Sequence, residues 1–88
     1  MPWTVELSKE AVKQLSELPL KHQGTVRKDL LEMAIDPFHG LVKALQGKKY
    51  KGRYRKVSGR YRIIFVPRYA SHTVEILLIL LRNEGTYR

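Results

Sequence analysis

Ile76-Leu77-Leu78-Ile79-Leu80-Leu81 is the longest apolar run in this 88-residue chain, and it leaves few ways to fold. It is far shorter than the roughly 20 residues a membrane helix needs. Both of its alternating sets are apolar, so it reads as a central strand covered on both faces. A chain this short has room for one small core, which predicts one domain over residues 1–88.

The remaining elements follow from spacing. Trp3, Val5 and Leu7 alternate with Thr4 and Glu6, the period of a strand with one buried face. Ser8 stands at an N-cap position, and Ala11, Val12, Leu15 and Leu18 follow at helical spacing until Pro19. A second helix is predicted from about Leu20, with Val26, Leu30, Met33 and Ala34 on one side, ending at Asp36-Pro37. Two amphipathic helices joined at a proline predict an αα-hairpin. Residues 38–50 read as a connection anchored to the core by Leu41 and Leu45. Strands are predicted over 53–57, 60–66 and 73–81, with a short turn at Ser58-Gly59 and a longer one from Pro67 to His72. The order β-α-α-β-β-β predicts an α+β fold, a helical hairpin packed on one face of a small, mainly antiparallel four-stranded sheet.

Charge is segregated. Between Pro37 and Val74 there are ten lysines and arginines and no aspartate or glutamate, while the flanks are close to neutral, so the chain's formal net charge of +9 arises in this segment. Solvated surfaces ordinarily mix both signs. A basic block in a neutral frame predicts a polyanionic partner, nucleic acid or ribosome first. The absence of cysteine excludes disulfides, thiolate chemistry and Cys-based zinc sites, and fits a cytoplasmic location. Met1-Pro2-Trp3 does not open a signal-peptide pattern, and no membrane partner is expected. His22 has no second ligand four residues on, and no Gly-rich phosphate loop, carboxylate pair or Ser-His-Asp set is present, so neither metal nor cofactor is expected.

A two-residue turn at Ser58-Gly59 would set Val57 opposite Arg60, Arg55 opposite Arg62 and Arg53 opposite Ile64. Opposed residues share a face. Arg53, Arg55, Arg60 and Arg62 would then lie on one face, and Tyr54, Lys56, Tyr61, Ile63 and Phe65 on the other, toward the helices. Opposed like charges cost on the order of 0.2–1 kcal/mol per pair, so a cluster of guanidiniums on an open face points to a ligand. Guanidinium matches phosphate oxygens in a two-pronged geometry, which makes a phosphodiester the natural one. Ile64 and Val66 are expected to form an apolar strip beside these cations, suited to an acidic amphipathic segment of a partner.

Leu45-Gln46-Gly47, then Tyr54-Arg55-Lys56-Val57-Ser58-Gly59-Arg60-Tyr61-Arg62-Ile63-Ile64-Phe65, then the apolar strand, Arg82 and Tyr87, resemble the RelE/ParE superfamily of toxin–antitoxin toxins. The resemblance covers essentially the whole chain. It implies a RelE-like toxin of a type II toxin–antitoxin system, a ribosome-dependent mRNA endonuclease silenced by a cognate acidic antitoxin. Its other branch implies a ParE-like DNA gyrase poison without nuclease activity, and a plain RNA-binding module is a third reading. By the resemblance Arg55, Arg62, Arg82 and Tyr87 are the catalytic candidates, and Lys48, Lys49, Lys51, Arg53, Lys56 and Arg60 supply RNA-binding charge. Val57 stands where the family is often basic, and Arg60 where it is often acidic.

RNA brings its own nucleophile, the ribose 2′-hydroxyl. Arg62 and Arg55 would stabilise the charge on phosphorus, with Arg82 a third cation or the proton donor to the leaving oxygen. Tyr87 would be the base. A phenol of ordinary pKa, about 10, is poorly placed for that role at neutral pH. The site alone is therefore expected to cut weakly, with the ribosome supplying an in-line geometry of the message.

Overall fold

The structure, a computed structural model, describes residues 2–82. One side chain both ends the first strand and starts the first helix. Ser8 lies between β1 (Thr4–Leu7) and α1 (Lys9–Ser16). Its Oγ accepts from the Ala11 N–H at 3.0 Å, as an N-cap should, and donates to the Leu77 carbonyl at 2.8 Å. Pro19 precedes α2 (Leu20–Ile35), which stops at Asp36, immediately before Pro37.

Four more strands follow: β2 (Val42–Ala44), β3 (Tyr54–Ser58), β4 (Tyr61–Arg68) and β5 (Thr73–Leu81), with a 3₁₀ turn at Lys48–Tyr50 between β2 and β3. The sheet order is β1-β5-β4-β3-β2; β1 runs parallel to β5 and every other pair is antiparallel. The α+β class is as expected. The sheet, however, has five strands rather than four, because part of the expected connection pairs with β3 as a short edge strand. Leu41 is no core anchor; it is 73% exposed. Strand β4 also runs through Pro67, which was expected to begin a turn. The pairing of β3 with β4 ends at Tyr54 opposite Phe65, so beyond that point β4 has a free edge, where a strand tolerates proline.

Strand β5 is central, as the apolar run requires. Its pairing with β4 slips between Ile64 and Phe65, whose partners are Leu78 and Ile76, so Leu77 is the extra residue of a bulge. The bulge exchanges the two apolar sets: Val74, Ile76 and Ile79 are buried toward the helices, whereas Leu78 and Leu80 turn to the open side and are half-buried. Coverage is thus complete on one face only. On that face Phe65, Ile63 and Tyr61 join them against Ala11 and Leu15 of α1 and Val26, Leu30 and Met33 of α2.

Pairing with β1 ends at Leu7 opposite Ile76, and α1 takes over the edge of β5. Gln14 Oε1 accepts from the backbone N–H of Ile79 at 2.6 Å, where a sixth strand would otherwise be needed. Lys56 makes a second long tie. It is 3% exposed, on the helix side of the sheet, and its ammonium donates to the His39 carbonyl. Gly40, beside that bond, has φ +87°, and a Cβ there would stand 3.0 Å from Lys56 Nζ.

Gln14→Ala leaves the buried Ile79 N–H without its acceptor and is expected to cost about 1–3 kcal/mol in urea denaturation, while Gln14→Glu, which keeps an acceptor, loses much less. Gly40→Ala is expected to cost about 1–2 kcal/mol from its left-handed backbone, read in the same assay, with a further loss from displacing Lys56.

Candidate phosphate-binding site

The β3–β4 hairpin sets out the cations. Ser58 pairs with Tyr61, Val57 with Arg62, Lys56 with Ile63, Arg55 with Ile64 and Tyr54 with Phe65. The turn is Gly59-Arg60, one residue later than expected. Gly59 has φ +57° and Arg60 is not among the residues of positive φ, the pattern of a type II′ hairpin turn. Moving a two-residue turn by one position changes every partner and leaves the faces unchanged. Arg55 and Arg62 therefore share the open face but do not oppose one another. Arg62 lies between Val57 and Leu80, and Arg55 between Ile64 and Lys43. The aliphatic neighbours spare Arg62 the like-charge penalty; only Lys43 and Arg55, at the edge, oppose each other.

A cleft of about 430 Å³ is lined by Gly59, Arg60, Arg62, Leu81 and Arg82. Three strand ends build it: the turn supplies Arg60, β4 supplies Arg62, and the residue after β5 supplies Arg82. The Arg82 N–H donates to the Arg60 carbonyl at 2.6 Å, which draws the end of β5 to the turn. Arg62 is half-buried, with Nη1 shut off from solvent, while Arg60 and Arg82 are exposed. Among the described residues, no carboxylate lines this cleft. Three guanidiniums around one concavity match an anion with several oxygens, a phosphodiester above all.

The other candidates are distributed around it. Arg55 lines an adjoining cleft with Lys43, Val42, Val57, Gly40 and Leu41. Arg53 lines a third, with Tyr50, Leu45, Ile64, Leu78, Leu80 and Gln14. Lys48, Lys49 and Lys51 are exposed and line none of the three. Lys56 faces the opposite side, buried, and its bond to His39 makes it a structural tie instead of an RNA contact. The expected apolar strip changes as well, since Ile64 is 2% exposed beneath its open-face neighbours. Tyr87 lies outside the described residues. Lys43 is the cation that sequence reasoning passed over, because it stood in an assumed connection; its signal was its place in the acid-free segment.

Neither His39 nor His72 lines the arginine cleft. His72, at φ +54°, stacks its ring on Trp3 with centroids 4.1 Å apart. Among the described residues, then, the cleft holds charge-stabilising groups and no side chain that titrates near neutrality. No group of three or more His, Asp or Glu side chains among them is placed to hold a metal ion.

No protein-family model and no curated protein matches the chain. Solved structures do. The toxin–antitoxin complex RelBE2 from Mycobacterium tuberculosis superposes with a TM-score of 0.82 at 23% identity, over 93% of this chain and 100% of that one. The archaeal RelE–RelB complex from Pyrococcus horikoshii gives 0.79 at 24% identity, over 97% and 100%. The isolated RelE toxin of E. coli gives 0.76 at 18% identity, over 94% and 87%. The helical hairpin packed on a mixed sheet is thus the fold of these RelE toxins.

Proposed function

We propose that this chain is the toxin of a type II toxin–antitoxin system and that it cuts messenger RNA on the ribosome without a metal. The observation that carries the reading is that Arg60, Arg62 and Arg82 line one cleft. The RelE fold supports it, and so do the antitoxin complexes in which two of the similar structures were solved. A cognate acidic antitoxin suits a chain of net charge +9.

In the reaction, the 2′-hydroxyl of the message attacks the adjacent phosphorus and the bond to the 5′-oxygen breaks. A 2′,3′-cyclic phosphate and a 5′-hydroxyl end result. Arg62, partly desolvated between Val57 and Leu80, holds a non-bridging oxygen and takes the charge that grows on it. Arg82, on the cleft wall, stands at the leaving oxygen as third cation or proton donor. Arg55 and Lys43, one cleft away, hold the neighbouring phosphate along the strand. Tyr87 is the base of this scheme. With no His or Glu among the described residues that line the cleft, proton transfer is the weak part of the chemistry, and the ribosome contributes by fixing the 2′-oxygen in line.

Two outcomes follow. Inducing the chain alone in cells and mapping transcript 5′ ends is expected to show new hydroxyl-terminated ends within translated regions, and Arg62→Ala is expected to lower their yield roughly 100- to 1,000-fold. Undiminished cleavage by that variant, or gyrase-linked DNA damage in place of RNA cleavage, contradicts the proposal. In purified form the protein is expected to cut message on programmed ribosomes efficiently and the same naked RNA poorly; equal rates on both contradict it.

A further inference from the structure

Ser58 and Tyr61 are the closing pair of the β3–β4 turn, and each is tied to α2. Ser58 Oγ donates to Asp29 Oδ2 at 2.5 Å, and the Tyr61 hydroxyl lies 2.8 Å from His22 Nδ1. His22 and Asp29 are seven residues apart, about two helical turns, and so occupy the same face of α2. Thr25 falls between them on that face, three residues from one and four from the other. It meets the turn itself: a Cβ added to Gly59 would lie 3.7 Å from Thr25 Cγ2. Both ends of the turn and its first residue thus rest on one stripe of one helix.

The two residues at the far side of this closing pair are cleft residues. Arg60 completes the turn, and Arg62 follows Tyr61 directly. Ser58 and Tyr61 are buried, whereas the turn beyond them is exposed. A hairpin end of this kind, free of the helix, would pivot about its last sheet bonds. Held on α2, it has one position.

We infer that His22, Thr25 and Asp29 form a seat on α2 that fixes the Gly59-Arg60 turn, and that they act as positioning residues for Arg60 and Arg62 on the scissile phosphate. The inference rests on the reading of the arginine cleft as the cutting site. Its consequence is kinetic: loosening the seat misplaces guanidiniums that are otherwise intact, which lowers kcat and leaves the ribosome affinity, carried by the wider basic surface, unchanged.

The test uses the full chain carrying Tyr61→Phe and Ser58→Ala, which delete the two seat bonds and keep the ring and the backbone. On programmed ribosomes kcat is expected to fall roughly 10- to 100-fold with KM unchanged, as for a small misplacement of catalytic groups. Ser58→Thr, which keeps a hydroxyl, recovers most of the loss. The Nε–H NMR signals of Arg60 and Arg62 are expected to shift or broaden in the folded variant, with the exposed Lys48–Tyr50 turn unaffected. Wild-type kcat together with unshifted arginine signals overturns the seat, as does a rise in KM alone. If the double variant does not fold, Tyr61→Phe and Ser58→Ala taken singly are read by the same criteria. Arg62→Ala run alongside separates the two ideas. An inactive Arg62→Ala beside fully active seat variants removes only the seat, and a fully active Arg62→Ala removes the cutting site itself.

Discussion

With Ser58 opposite Tyr61 and only Gly59 and Arg60 left to turn the chain, the hairpin register settles where each cation of the basic segment goes. Arg62 falls between two aliphatic neighbours on the open face, Lys56 falls on the buried face, and Arg60 is carried out to the rim. Side chains alternate with a period of two, so a change of parity in either strand would send Arg55 and Arg62 to opposite sides of the sheet. Glycine at the first turn position makes the required positive φ available without a steric cost. The bonds from Ser58 and Tyr61 to α2 add a tertiary constraint to the local one.

The helix layer supports the sheet in a second way. Strand β1 is short, and α1 continues its work along β5 through the Ser8 and Gln14 side chains. The bulge at Leu77 meets the same helix, since Ser8 Oγ bonds the carbonyl of the bulged residue. By exchanging the faces of β5, the bulge buries Ile79 in the core and turns Leu78 and Leu80 to the open side. Leu80 then flanks Arg62. A cation beside an apolar neighbour and partly withdrawn from water acts more strongly on an anion than one in bulk solvent.

Much of this was legible in the sequence where a single residue type has a single use. Ser8 as a cap, Pro19 and Pro37 as stops, and the apolar run as the central strand each follow from local chemistry. The grouping of Arg53, Arg55 and Arg62 on one side was legible from parity, although the pairing was misplaced, because Ser58-Gly59 and Gly59-Arg60 are equally short turns, and the positive φ of Gly59 at the first turn position together with the contacts of Ser58 and Tyr61 with α2 chooses between them. Strand β2 left little trace, since Lys43 and Ala44 are exposed and it pairs only at the edge. The bulge was invisible for a different reason: in a run of six aliphatic residues no polar position marks where the alternation slips. Lys56 alternates like a surface residue and is buried because the carbonyl of His39, seventeen positions earlier, accepts its ammonium.

At the centre of this account is one juxtaposition, three arginines lining a single cleft, and the proposal that they hold one phosphate. The most direct measurement is an NMR titration of the full chain with a short RNA blocked by 2′-O-methylation at the scissile nucleotide, following arginine Nε–H signals. The account predicts that Arg62 and Arg82 respond first and together, saturating with one equivalent, while signals from the exposed Lys48–Tyr50 turn move little. Uniform, unsaturable shifts over all the basic residues, with Arg62 and Arg82 no different from the rest, would contradict it.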